Sequence, residues 1–173
     1  GSIVASGPNT ANPHAVPSDR VIEKGDFVLM DYGAGYCDYR SDMTRTVVMG
    51  EPTQEQLDLY ALVRRTHEEC VAAIHPGVEG NDIFKLSKKI IGDAGYGDYY
   101  NHGLGHGVGI DIHELPNFNR SKNIIEVGSV ITMEPGVYLP GVGGVRLEDY
   151  GVVTENGYEP FTKTPHDLHV IDC

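Results

Sequence analysis

Short apolar runs, separated by glycine and polar residues, open the chain and recur in its second half. Residues 3–7 and the run FVLM at 27–30 are too short for helices and are bounded by turn residues, so they predict strands. Segment 22–33 has a partner 103 positions later, at 125–136. Both copies run as a turn, an apolar strand and then an acid followed two residues on by glycine. We interpret this pattern as an internal duplication.

Each copy is followed by a second strand that carries a further acid, with an arginine two positions before it. Arg40 precedes Asp42 in the first copy, and Arg146 precedes Glu148 in the second. Each copy is therefore expected to form a hairpin with an acid near the end of both strands. The turns are predicted at Tyr36-Cys37 in the first hairpin and about Gly141 in the second.

Between the hairpins the apolar positions change to helical spacing. Thr53 can cap a helix, with Gln56 in the capping-box position, and the apolar pattern continues to Ile74. A second helix is predicted over 81–94, ended by Gly95. The sequence thus favours an α+β fold of duplicated helix-helix-strand hairpin units around a curved, mostly antiparallel sheet.

The two predicted units differ in size. Residues 1–52 form a first half-repeat of strands only, and residues 53–173 form a second half-repeat with two helices and strands; together they make one domain. If the duplication is symmetric, roughly 60 residues with two helices should precede Ile3, so the first unit is incomplete. The alternative is an asymmetric duplication in a complete chain.

Composition narrows the class of partner. The 173 residues carry 13 basic and 25 acidic side chains, a net charge of −12, which argues against a nucleic-acid backbone as the partner. No apolar run is long enough to span a membrane. Three cysteines without a CxxC pair are typical of a reducing cytoplasm rather than of a disulfide framework.

The paired acids are the strongest chemical signal in the sequence. Asp31 and Asp42 stand eleven positions apart around one predicted turn, and Glu134 and Glu148 stand fourteen apart around the other. Like charges facing each other on paired strands are destabilising, so two such pairs require a compensating cation. Four carboxylates with one imidazole suit two divalent ions, with Mn²⁺ favoured over structural zinc.

A glycine-rich segment, Asn101-His102-Gly103-Leu104-Gly105-His106-Gly107-Val108-Gly109, supplies the imidazole. Its alternating glycines exclude a stable helix and allow close approach of another backbone to an extended strand. His113 follows seven residues after His106, and His14 lies in a segment bounded by prolines. The other histidines, His67, His75, His166 and His169, are expected to have surface or capping roles.

Five motifs follow one another along nearly the whole chain: SGPNTANPHAVPSDR at 6–20, DYGAGYCDYRSDMTRT at 31–46, HGLGHGVGIDIHELP at 102–116, ITMEPGVY at 131–138 and VRLEDYGVVTENGYEPFT at 145–162. In this order they resemble the catalytic domain of the Xaa-Pro dipeptidase and aminopeptidase P group of the pita-bread metallopeptidases. The resemblance implies the duplicated pita-bread fold, with its N-terminal helices absent here. It also implies hydrolysis of the Xaa-Pro bond at the N-terminus of dipeptides or short peptides.

The resemblance assigns a role to each candidate side chain. Asp31, Asp42, His106, Glu134 and Glu148 would bind two divalent metal ions, with Asp42 and Glu148 as bridging ligands. Manganese is favoured, and cobalt or zinc would also fit. A metal-bridging water would be the nucleophile, and Glu134 would also serve as general base.

Four further residues are implied to act around the metals. His113 would stabilise the tetrahedral intermediate, and His102 would lie near the scissile bond. His14 would help to form the proline-side pocket or shuttle protons, and Arg146 would hold the carboxylate network. The intact protein would be a cytoplasmic homodimer that acts on short Xaa-Pro peptides.

Two alternatives stay open from the sequence. A methionine aminopeptidase shares the five-ligand plan, but the segment 42–46, the additional His102 and the segment 146–150 resemble the proline-directed branch. A non-catalytic peptide-binding fragment is the second alternative. Relatives of that kind usually lose metal ligands, whereas all five are present in this chain.

Overall fold

The computed structural model describes residues 2–172, which contain thirteen short strands and two α-helices. The strands are β1 (Ile3–Ser6), β2 (Phe27–Tyr32), β3 (Gly35–Tyr36), β4 (Tyr39–Arg40), β5 (Met43–Met49), β6 (Gly105–Gly107), β7 (Glu114–Phe118), β8 (Val130–Met133), β9 (Gly136–Leu139), β10 (Gly143–Arg146), β11 (Asp149–Thr154), β12 (Gly157–Pro160) and β13 (Val170–Ile171). The helices are α1 (Gln54–Ala72) and α2 (Gly80–Asp93). Short 3-10 turns cover Gly7–Ala11 and Gly97–Tyr99.

Both predicted helices are confirmed, with ends within two residues of the expected positions. The Thr53 hydroxyl accepts from the Gln56 N–H, and Gln56 Oε1 accepts from the Thr53 N–H, so the capping box at the start of α1 is present. Neither helix within the described residues has the length and apolar character needed to cross a bilayer.

The first hairpin belongs to a four-stranded sheet ordered β1-β2-β5-β13, in which only the β5–β13 pair is parallel. Asp31 pairs with Thr44, and the turn lies at Cys37 and Asp38, whose φ angles are 48° and 68°. The predicted turn centre was therefore wrong by one residue. Asp31 and Asp42 are diagonal neighbours on one face of the sheet rather than directly opposite.

The second hairpin has the predicted centre. In the ribbon β9–β10, Arg146 pairs with Gly136, and the connecting turn is centred on Gly141 at φ 79°. In the adjoining ladder between β8 and β11, Asp149 pairs with Met133. These registers set Glu134 and Glu148 opposite each other. Strands β8 and β11 belong to a five-stranded sheet ordered β12-β11-β8-β6-β7, which is antiparallel throughout.

Two apolar clusters join the helices to these strands. One packs Leu59 and Val63 of α1 against Phe27 of β2 and the β9–β10 ribbon. The other packs Ile83 of α2 against the sheet that contains Phe118 and strands β8 and β11. Full burial of such a side chain contributes about 1.5–3 kcal/mol. The acidic strand ends are thus held on a well-packed scaffold.

The surface role expected for His67 is wrong. His67 lies on α1 with only 2 % of its surface exposed. Its neighbour His166, expected in a polar tail, is half-buried and contacts Asp149 of β11. By contrast, His75 and His169 are exposed, as expected.

Candidate metal centre

The five candidate metal ligands lie where strands of the two sheets end or meet. Asp31 lies near the end of β2, and Asp42 directly precedes β5. Glu134 follows β8, Glu148 lies between β10 and β11, and His106 is the middle residue of β6. The Glu148 N–H donates to the Thr44 carbonyl at 3.1 Å, which joins the two sheets at this point.

These strand ends surround one cavity of about 780 Å³. Its walls include every site residue named from the sequence: His14, Asp31, Asp42, His102, His106, His113, Glu134, Arg146 and Glu148. The volume is in the range of pockets that enclose a small ligand. The tertiary structure therefore brings all nine side chains to the same space.

Three of the predicted ligands form the tightest cluster. One ligand atom each of Asp42, His106 and Glu148 lie within 4.8 Å of one another. His106 Nε2 is 3.4 Å from Glu134 Oε1 and 3.9 Å from Asp42 Oδ2. Asp31 completes the same wall of the cavity. Carboxylate oxygens and one imidazole nitrogen are ligands that Mn²⁺, Co²⁺ and Zn²⁺ accept.

The electrostatics of this cluster also favour cations. Burial and then the Asp31 carboxylate raise the pKa of Asp42 to about 7, and burial raises the pKa of Glu134 to about 8. Glu148 is 2 % exposed, and burial and the Glu134 carboxylate raise its pKa well above its ordinary value. Carboxyl groups so placed are costly to ionise unless positive charge lies between them. The residues present thus fit divalent metal ions.

Arg146 lies at the centre of the hydrogen-bond network around these carboxylates. Its Nη2 donates to Asp31 Oδ2 at 2.5 Å, and its Nε donates to the Thr44 hydroxyl at 3.1 Å. The Thr44 hydroxyl in turn donates to Glu148 Oε2 at 2.6 Å. One guanidinium therefore orients a carboxylate from each hairpin, one directly and one through Thr44.

A second arm of Arg146 reaches His102 through Tyr138. Arg146 Nη1 donates to the Tyr138 hydroxyl at 2.9 Å, and that hydroxyl lies 2.8 Å from His102 Nε2. His102 Nδ1 lies 2.6 Å from the Gly103 carbonyl. Burial lowers the pKa of His102 to about 4, so the ring is neutral at pH 7. A neutral ring with its proton on Nδ1 donates to the Gly103 carbonyl and accepts a hydrogen bond from the Tyr138 hydroxyl at Nε2, which satisfies both contacts.

The orientation of His106 follows from its own backbone. Its Nδ1 lies 3.0 Å from the Gly107 carbonyl, which leaves Nε2 facing Asp42 and Glu134. The backbone N–H of His106 donates to the Thr132 hydroxyl at 3.0 Å. A Cβ on Gly105 would lie 2.2 Å from the Thr132 carbonyl oxygen, which confirms the close backbone approach expected of these glycines.

His14 and His113 occupy the exposed rim of the cavity. The His113 ring lies 4.3 Å from the His106 ring, centroid to centroid. The His14 N–H donates to Asn12 Oδ1 in a turn beside the rim. Both rings are placed to meet a molecule that enters the cavity.

Three side chains of this network were not singled out from the sequence. Thr44 and Tyr138 supply the hydroxyls already described, and Arg45 donates to the Glu148 carbonyl at 2.6 Å. Thr44 and Arg45 stand in the motif at 31–46, and Tyr138 stands in the motif at 131–138. Their roles depend on contacts between the two hairpins, such as the Thr44–Glu148 bridge, whose members lie 104 positions apart along the chain.

In this α+β fold two antiparallel hairpins supply four carboxylates and β6 supplies one imidazole to the same cavity, a donor set that fits divalent metal ions. Residues 1–155 match the model of metallopeptidase family M24. The chain belongs to this family, so the family predicted from its motifs is confirmed.

Named relatives agree with this assignment. The chain is 45 % identical over 168 residues to the Xaa-Pro dipeptidase of Pyrococcus furiosus, an alignment that covers 96 % of this chain and 48 % of the relative. The solved prolidase of Pyrococcus horikoshii has a TM-score of 0.94 at 43 % identity, over 96 % of this chain and 48 % of that one. The chain thus spans about half the length of the relatives it matches.

The chain is also similar to a solved X-Pro aminopeptidase. The X-Pro aminopeptidase of Thermotoga maritima has a TM-score of 0.95 at 37 % identity, over 98 % of this chain and 49 % of that one. These similarities confirm the predicted pita-bread fold of the family.

Proposed function

We propose that this chain carries the catalytic centre of a dinuclear metallopeptidase that cleaves the Xaa-Pro bond at the N-terminus of dipeptides or short peptides. The observation that carries this proposal is the convergence of Asp31, Asp42, His106, Glu134 and Glu148 on one cavity. The names of the relatives supply the substrate class, Xaa-Pro peptides.

The five convergent side chains would hold two divalent ions, manganese in the first place and cobalt or zinc as substitutes. One ligand atom of Asp42 lies within 4.8 Å of one of Glu148, and these two carboxylates would be shared between the ions. Such ions lower the pKa of a bound water and so supply a nucleophile at neutral pH.

The protein's own groups would move the protons and orient the substrate. Glu134, at the cavity wall beside His106, would take the proton of the attacking water and pass it to the departing amine. His113 at the rim would stabilise charge that develops on the carbonyl oxygen of the substrate. His102, kept neutral by burial and positioned by the Tyr138 hydroxyl, would contact the scissile region, and His14 would border the proline side.

Arg146 would hold these side chains in position. It holds Asp31 directly and Glu148 through Thr44, and it holds His102 through Tyr138. The intact protein would act in the cytoplasm, and free Cys37 and Cys70 are consistent with a reducing compartment. By the family resemblance, it would act as a homodimer.

The test combines metal content with substrate choice. After dialysis against Mn²⁺, the chain should retain about two ions at the centre, and the His106→Ala variant should retain fewer. The loaded chain should hydrolyse Ala-Pro faster than Met-Ala. Faster cleavage of Met-Ala would favour a methionine aminopeptidase instead. A folded chain that binds manganese and peptide but hydrolyses neither Ala-Pro nor Met-Ala would be a peptide-binding module. This result would contradict the proposal.

A further inference from the structure

A second cluster of metal-binding side chains lies outside the cavity, between α1, β11 and the C-terminal segment. His67 comes from α1, Asp149 from the start of β11 and His166 from the segment that follows β12. Asp149 Oδ2 lies 2.5 Å from His166 Nε2 and 3.5 Å from His67 Nε2. One ligand atom of each of the three residues lies within 4.8 Å of the other two.

The cluster is separate from the candidate metal centre although Asp149 directly follows Glu148. Successive side chains of a strand point to opposite faces. Glu148 accordingly lines the cavity, whereas none of the three clustered residues does. Asp149 is only 1 % exposed, so its carboxylate faces the protein interior beneath α1.

His67 lacks a partner that its burial demands. It is 2 % exposed, and neither ring nitrogen has a hydrogen-bond partner among the described residues. Leaving a buried polar group unpaired costs about 1–3 kcal/mol. The Asp149 carboxylate is already engaged, because Oδ1 accepts from Arg45 at 2.6 Å and Oδ2 contacts His166. His67 Nε2 lies 3.5 Å from Asp149 Oδ2 without forming a hydrogen bond, so His67 stays unsatisfied.

We propose that His67, Asp149 and His166 form an additional cation site that takes Zn²⁺ or a similar borderline divalent ion. Two imidazole nitrogens and one carboxylate oxygen are common zinc ligands, and a water molecule would complete a tetrahedral set. Ligand atoms about 2.0–2.1 Å from a tetrahedral ion stand about 3.3 Å apart. The pair His67–Asp149 is already near that spacing at 3.5 Å, and the pair His166–Asp149 would open by less than about 1 Å.

The position of the site would allow an ion to enter from solvent and to stabilise the C-terminal segment. The His166 side chain is 28 % exposed, so an ion can enter from solvent on that side. A bound ion would tie the C-terminal segment to α1 and β11. Other contacts that hold this segment include the Arg45–Thr164 carbonyl hydrogen bond, the Tyr60 hydroxyl at the His166 carbonyl and the Arg64–Asp167 ion pair. Arg45 also contacts the Glu148 carbonyl, so the ion would stabilise the rear of the candidate metal centre.

The test measures zinc content in variants that differ only at this cluster. The chain, a His166→Gln variant and a His169→Gln control are dialysed against Zn²⁺ and analysed for bound metal by mass spectrometry. His169 is exposed, lies in the same segment and stands outside the cluster, so it controls for surface binding. We expect His166→Gln to lose about one ion per chain and His169→Gln to lose none.

The comparison is independent of how many ions the candidate metal centre holds. In the His106→Ala background, His166→Gln should still remove one further equivalent, and a zinc-dependent rise in Tm should disappear with it. His67→Gln should repeat this loss wherever circular dichroism shows that it folds. Equal zinc contents in the wild-type chain and in folded His166→Gln would overturn the proposal, as would an equal loss in His169→Gln.

Discussion

Arg146 Nη2 donates to Asp31 Oδ2 at 2.5 Å, and this ion pair connects residues that lie 115 positions apart. The Arg146 side chain is only 3 % exposed, and its other nitrogens donate to Thr44, Tyr138 and the Pro13 carbonyl. A single planar cation thus sets the relative position of the two hairpins behind the candidate metal centre.

Replacing this guanidinium by an ammonium should damage the site more than the fold. Arg146→Lys keeps the charge but cannot reach Asp31, Thr44 and Tyr138 together, so kcat/KM on Ala-Pro should fall by about 10–100-fold. Mn²⁺ titration should show weaker binding. Arg120→Lys, at an exposed position, is the matched control. Unchanged activity in Arg146→Lys would show that charge alone is sufficient.

The Thr44 hydroxyl provides a sharper test of how Glu148 is oriented. Thr44→Val conserves shape but removes the hydrogen bond to Glu148 Oε2, so Mn²⁺ affinity should fall by about tenfold or more. Thr44→Ser restores the hydroxyl and should recover most of the affinity. A valine variant that binds as well as the serine variant would argue against this role.

Glu134 tests the proposed proton transfer. Glu134→Gln keeps the size of the side chain but cannot accept a proton, so kcat should fall by about 10²–10⁴-fold while the circular dichroism spectrum stays unchanged. Glu126→Gln, at an exposed loop position, should retain full activity. Turnover near the wild-type value in Glu134→Gln would remove Glu134 from the mechanism.

The raised carboxyl pKa values predict a pH dependence of the metal-free chain. Asp42 and Glu134, with pKa values of about 7 and about 8, hold protons that the unfolded chain releases near pH 4. Because the native state binds more protons, stability should fall as the pH rises through about 6.5–8.5. His67 and His102, whose pKa values are lowered to about 4, act in the opposite direction but only below about pH 6.5.

This dependence can be measured as Tm in EDTA at three pH values across that window. Added Mn²⁺ should flatten the curve, because bound cations favour the ionised carboxylates. Glu134→Gln, which cannot titrate, should also reduce the slope. A Tm that rises with pH between about 6.5 and 8.5 would contradict the assigned sign.

Two glycines allow a matched test of backbone packing beside His106. An added Cβ at Gly105 would lie 2.2 Å from the Thr132 carbonyl oxygen, whereas at Gly92, near the end of α2, it would meet no atom within 4 Å. Gly105→Ala should destabilise the fold by roughly 1–3 kcal/mol. Gly92→Ala should be neutral or stabilise it by up to about 1 kcal/mol. Similar unfolding midpoints for both variants would contradict the close approach.

Local patterns in the sequence were sufficient for much of the architecture. The capping box of Thr53 and Gln56 and the apolar period located α1, because these signals act within a few residues of one another. The duplication and the motifs likewise located the acids at strand ends. The motifs point to nine candidate site residues, and all nine line the cavity.

The pairing register of the first hairpin was decided by the turn itself. Cys37 and Asp38 both adopt positive φ. Aspartate tolerates this conformation but cysteine rarely adopts it, so a Cys-Asp pair is not a recognised signal for such a turn. The turn centre moves by one residue, so the partner of Asp31 moves by two positions, from Asp42 to Thr44. The Thr44 hydroxyl could not be recognised as a partner of Arg146 without that register.

Both helices, the two hairpins, the family and the candidate ligands could be predicted from local periodicity and motif order, because these signals lie in short stretches of the chain. The burial of His67 and its contacts with Asp149 and His166 emerge only from three-dimensional packing. A helix pattern shows which side chains share a face, but burial depends on what packs against that face. Here the packing comes from a strand 82 positions later and a segment 99 positions later along the chain.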